Sequence, residues 1–188
     1  MPWNNENEIV LAGNGQVYIA PSGTALPTDP VAALNAAFVG LGYITEDGAT
    51  LTVTPDIAEF NAWQTRTPVR REKTSQTIEL SFSLMQWDED TVPFAFGGGS
   101  VSGSVGNYRY NLPDDNAALD ERAMVLEAND GNKHFRWVFA KGNVVEAVEA
   151  TYARTDPAVL PITFRALAAS GLSPGYFLAD TTAFAAGS

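Results

Sequence analysis

Cysteine is absent from the 188-residue chain, and histidine occurs once, as His134. The first absence excludes disulfides, thiolate metal sites, thiol nucleophiles and iron–sulfur clusters together. The second excludes a multi-histidine metal cage. Positive charge is scarce: 11 Lys and Arg stand against 22 Asp and Glu, a formal charge of −11. Tight phosphate binding runs on clustered Lys and Arg, so this balance argues against a nucleic-acid binder and against residence on an anionic membrane. No apolar run approaches the roughly 18 residues that span a bilayer. The first eight residues, MPWNNENE, are polar and lack the basic start and apolar block of a signal peptide, which points to a cytosolic protein.

What is present is globular and reads as one domain over 1–188. Hydrophobic residues make up 45% and aromatics 11%, enough to fill a core without metals or staples. Residues 16–20 (QVYIA) form a short strand closed by Pro21-Ser22-Gly23. Asp29 as cap, Pro30 in the first turn and Val31, Leu34 and Phe38 at helical spacing predict a short helix ending near Gly40. Leu51 and Val53 alternate with Thr50, Thr52 and Thr54, the pattern of a half-buried strand. Over 74–87, Ile78, Leu80, Phe82 and Leu84 alternate with Thr77, Glu79, Ser81 and Ser83. Asp88-Glu89-Asp90-Thr91 caps a second short helix through Phe94 and Phe96, stopped by Gly97-Gly98-Gly99. Residues 97–106 are Gly/Ser-rich and read as a flexible loop before a short strand at 108–112.

Asp130-Gly131-Asn132 joins 122–129 to 134–140 as a hairpin, with Phe135, Trp137 and Phe139 on one face and His134, Arg136 and Val138 on an exposed one. Two more strands are expected, at 144–152 and 160–168. Residues 170–188 form an extended apolar tail, charged only at Asp180, suited to docking. The sum is a mainly β chain: a β-sandwich or partial barrel with one or two short helices.

Catalytic chemistry finds no foothold. His134 has no oriented nucleophile. The acidic clusters at 46–47, 88–90, 114–115 and 120–121 fall at turns and helix starts, where capping explains them. Gly13-Asn14-Gly15 and Gly97-Gly98-Gly99 lack the strand, helix and Lys of a phosphate loop. No cofactor or metal is implied. One stretch is odd. Residues 56–74 hold four of the eleven basic residues, Arg66, Arg70, Arg71 and Lys73, with Phe60 and Trp63 nearby. Pro68 argues against a central strand there. The stretch reads as a long projecting loop, either an arm that reaches the acidic surface of another copy or a solvated loop.

Four segments carry a resemblance: VYIAPSGTALPTD (17–29), ALNAAFVGLGYITEDG (33–48), IAEFNAWQ (57–64) and VRREKT (69–74). In their order and spacing they resemble the major tail proteins, or tail tube proteins, of long-tailed siphovirus-type bacteriophages, especially those infecting actinobacteria. The likeness is densest over 17–90. It implies a β-sandwich with a helix at its side and no enzyme activity. It implies hexameric rings whose inner sheets join into one continuous barrel, stacked into a tube that delivers DNA to the host cell. The implied partners are further copies of the chain, the tape measure, tail terminator and baseplate or distal tail proteins, and double-stranded DNA that passes without tight binding; no membrane is involved. The implied place is the virion tail, and the contact loop would be the 56–74 arm. A wall of negative sign repels phosphates, and alternation nominates Glu79, Ser81 and Glu127, with Asp56 and Glu72 flanking the arm, as lumen-facing. The other reading is a β-sandwich module on a virion or cell surface that binds carbohydrate or protein.

Overall fold

Alternating apolar and polar residues drive most of the chain into strands, and the pairing of those strands sets the architecture. The computed structural model describes residues 5–146 and 148–181. After a single 3-10 turn at Glu6–Glu8 come β1 (Asn14–Pro21), β2 (Val39–Gly40), β3 (Ile44–Phe60) and β4 (Arg70–Leu84). The short helix α1 (Thr91–Ala95) follows, then β5 (Ser100–Ser104), β6 (Asn107–Asn111), β7 (Arg122–Asp130), β8 (Lys133–Val144), β9 (Leu160–Ala166) and β10 (Gly175–Ala179). Eight strands form one sheet in the order β2-β1-β7-β8-β9-β4-β3, with β10 beside β8; β5 and β6 pair separately.

The sheet folds on itself at β8. One edge of β8 pairs with β7, while the other changes partner, from β10 over Phe135–Phe139 to β9 over 142–144. Gly142 stands at the change. A Cβ there would meet Arg165 O and Phe164 Cζ at 2.4 Å, so only glycine lets the strands cross this closely. Val17 and Ile19 of β1, Met124 of β7 and Phe139 of β8 therefore face Leu80, Phe82 and Leu84 of β4 and Leu160, Ile162 and Phe164 of β9. Phe94 from α1 and Leu41 close the cluster, and the Phe139 and Phe164 rings pack at 6.2 Å. This is a β-sandwich, as expected.

The other face of β7 and β8 is covered as well, which corrects the expectation that Arg136 is exposed. Val125 and Val138 on this face are fully buried and Arg136 is only 6% exposed. Its Nε donates to Glu127 Oε1 and its Nη1 to the carbonyl oxygens of Asp29 and Ala32, each at 2.7 Å. Tyr176 on β10 donates its hydroxyl to Pro27 O at 2.6 Å. A strap from Pro27 to Ala32 is thus tied down over the sheet.

That strap is where a helix was expected, and no helix forms: residues 29–32 bend, 36–37 turn, and the rest of 29–38 is irregular. Asp29 does cap, its Oδ1 accepting from the N–H groups of Val31 and Ala32 at 2.7 Å. Those bonds, Ala32's first, hold the Asp29 carboxyl below its ordinary value. The stabilisation is present above the unfolded value of 3.8 and is lost as pH falls through the lower folded value. No helix propagates because the carbonyls of Asp29 and Ala32 bind Arg136 instead.

Four further expectations are corrected. The 56–74 loop is largely strand, since β3 runs to Phe60 and β4 starts at Arg70. The 97–106 loop is the β5 half of a hairpin. The expected 144–152 strand stops at Val144, where β8 ends. The tail from 170 is not wholly extended: β10 docks on its own subunit, with Phe177 4.8 Å from the Trp137 ring, and residues 182–188 lie outside the described residues. The expected helix near 90 is α1, and Asp88 caps it by accepting from Asp90 N and Thr91 N.

Truncating Arg136 leaves the Glu127 carboxylate and two carbonyls without their partner. Arg136→Ala is expected to lower the unfolding free energy by about 3–5 kcal/mol, read as a shifted urea midpoint.

Candidate assembly interface

The candidate site is made by strands of unequal length. β3 and β4 pair from Ala49–Phe82 out to Phe60–Arg70. β9 accompanies β4 only over Glu79–Leu84. Beyond Ile78 the two strands continue as a two-stranded ribbon with both edges bare. A bulge marks its middle: Asp56 pairs with Ser75 but Ile57 with Lys73, leaving Thr74 as the extra residue, with its Oγ1 donating to Asp56 O at 3.2 Å. Such a bulge sharpens the twist and re-aims the strand beyond it. The turn is closed by Val69 N donating to Phe60 O at 2.9 Å. Pro68 falls in that turn, where no ladder bond needs its missing N–H.

The structure gathers all six arm residues nominated by sequence on this ribbon. Phe60 ends β3 at 49% exposure, Trp63 at the turn is 100% exposed, and Val53, Ile57 and Val69 are more than half exposed. Arg66 lies in the turn. Arg71 bonds Glu59 at 2.7 Å and Arg70 bonds Glu72 at 3.2 Å, all four exposed, while Lys73 Nζ donates to Gln76 Oε1. The ribbon thus leaves its strand edges and the rings of Phe60 and Trp63 open to solvent.

The lumen candidates divide. Opposed residues on paired strands share a face, so Thr50, Thr52, Thr54 and Asp56 of β3 line up with Ser81, Glu79, Thr77 and Ser75 of β4. Counted along β3, Glu72 opposite Ala58 continues that face. Asp56, Glu72, Glu79 and Ser81 are thus brought together. Glu127 is not: it sits on β7 with the strap-side Arg136. There its charge, after burial itself, helps hold the Tyr18 hydroxyl above its ordinary pKa.

Sequence reading missed two parts of the shared face. Arg165 on β9 binds Glu79 Oε1 through Nε at 2.9 Å and Nη2 at 2.6 Å, and Thr163 donates to Glu146 at 2.8 Å. The alternate threonines of β3 were the visible signal for a hydroxylated face; the β9 residues, 80 or more positions away, gave none.

The site is thus a two-stranded ribbon that extends from a β-sandwich and holds exposed aromatic rings towards its tip. The family model described as phage tail tube protein matches residues 1–187, and the chain belongs to that family. It is a structural subunit of the bacteriophage virion tail, and its family is not one of enzymes. No individually curated protein matches the chain. No helix among the described residues is long and apolar enough to cross a membrane.

Trp63 touches nothing that holds the subunit together. Trp63→Ser is expected to leave the monomer's melting temperature within about 1 °C, as for exposed substitutions generally, while reducing polymer yield in sedimentation.

Proposed function

We propose that the chain acts as one module over its length, closing into hexameric rings that stack into the conduit for DNA. The setting supported by the resemblance is a long flexible tail of a phage of actinobacteria. The ribbon is the contact arm, and the hydroxyl-rich face of β3, β4 and β9 is the lumen wall. The observation that carries this reading is the overhang of β3 and β4 beyond β9, because unpaired strand edges and exposed Phe60, Trp63 and Val69 are satisfied by assembly.

The wall works by offering DNA nothing to hold. The two cations on this face, Arg70 and Arg165, are each bonded to a carboxylate, Glu72 and Glu79. Hydroxyls and cancelled charge present phosphates with no free cation, and the surplus of acid around a ring repels them. The tape measure, the tail terminator and the distal tail or baseplate proteins then meet the tube at its core and two ends.

Arm and wall are tested separately. Arg70→Glu with Arg71→Glu should abolish tubes in negative-stain images while circular dichroism of the monomer stays unchanged; normal tubes would remove the arm from assembly. Glu79→Gln should still assemble, but with Arg165 released its tubes should retain duplex DNA on sedimentation at low salt and lose it as salt rises. DNA passing as freely as in the parent tube would place the lumen elsewhere.

A further inference from the structure

We propose that the arm tip docks in an aromatic groove at the opposite pole of a second copy, a contact that rests on the arm reading above and names its acceptor. The groove holds about 560 Å³ and is lined by Trp87, Val92, Val101, Tyr108 and Tyr110, with Asp88 and Glu89 at its rim. Trp87 stays 38% exposed and Tyr108 64% exposed, although the subunit has a core to place such rings in. Trp87 is held rather than loose: its Nε1 donates to Ala158 O at 3.0 Å and its ring packs 5.6 Å from Tyr152. The β5–β6 hairpin forms one wall, fixed by Tyr110 donating its hydroxyl to Gly98 O at 2.7 Å.

Shape, chemistry and charge point to one occupant. The arm tip, residues 61–71, carries Arg66, Arg70 and Arg71 and no carboxylate. Residues 86–92 carry Asp88, Glu89 and Asp90 and no base. Trp63 supplies an exposed indole that an aromatic slot can bury, and Arg66, with no ion pair among the described residues, supplies charge for the acidic rim. A subunit cannot make this contact with itself. The tip precedes β4 and the groove follows it, and fifteen strand residues separate them by roughly 45 Å. An antiparallel twofold pair would exchange the two contacts and close as a dimer, whereas in a tube whose copies point one way the contact runs head to tail and propagates; only the second gives a covalent ladder.

The absence of native cysteine makes the test clean. Gln64→Cys and Glu89→Cys, placed beside the tip and on the groove rim, leave Trp63 and the aromatic lining intact. Mild oxidation of tubes bearing both should give a ladder of covalent multimers on non-reducing gels, and a mixture of the two single variants should give dimers only. Gln64→Cys with Ser173→Cys, at the mouth of the groove between β4 and β10, should give none. A charge swap reads the same contact without cysteine: Arg66→Glu should raise the concentration needed for polymerisation about threefold, and adding Glu89→Arg should restore it. Parent tubes that form normally while the rim pair never links, or while position 173 links instead, overturn the groove and leave the arm's role standing. A parent chain that stays monomeric even with tail initiation proteins overturns both.

Discussion

Everything distinctive in this subunit follows from the pairing of β4. From Glu79 to Leu84 it is bonded on both sides, by β3 and β9, and its apolar residues sit in the core. From Arg70 to Ile78 only β3 accompanies it, and burial falls away. A two-stranded ribbon is marginal by itself. Here it is the continuation of a buried sheet, so the body fixes its root and direction. The bulge at Thr74 adds twist midway along the ribbon. The arm is therefore a hairpin continuous with the sheet rather than a structureless loop, and in the proposed assembly its exposed backbone edges are the surface that pairs.

Charge is arranged to the same end. Among the described residues, seven of the eleven Lys and Arg side chains sit in ion pairs. Most are half-exposed, and such pairs add little stability. Their consequence is cancellation: with acid in twofold excess, the paired cations are unavailable to phosphate. Arg136 is the exception in kind. Buried and threefold bonded, it fastens the strap across β7 and β8, and its role is structural.

The alternation of Ile78, Leu80, Phe82 and Leu84 announced β4, and Asp-Gly at 130–131 announced the β7–β8 turn, because those signals are local. The strap was misread for an instructive reason. Asp29, Pro30 and the apolar spacing after them satisfy every local rule for a helix start, yet the outcome is decided by a guanidinium 107 residues away that takes the carbonyl of Asp29. The glycines of 97–106 suggested flexibility but serve tight geometry: at Gly103, φ is 130° and a Cβ would meet Asn107 O at 2.1 Å. The six residues nominated from sequence fall on one ribbon because a basic, aromatic island in an acidic chain is a contiguous compositional signal. The groove that faces the other way was not, since Trp87, Val101 and Tyr108 come from three separate segments and only the fold unites them.

One strand pair can serve two directions of growth without conflict. The bare edge of β3 runs along the length of the ribbon, and in the proposed ring pairing across it would join copies side by side. The tip and the groove lie at the ends of β4, and the proposed docking there would join copies end to end. The first uses backbone N–H and C=O groups; the second uses Trp63, Arg66 and an aromatic slot. Because the two surfaces share no side chain, the proposed ring could close laterally while its poles stay open, and the proposed stacking would then present each ring to the next with a full set of arms or grooves.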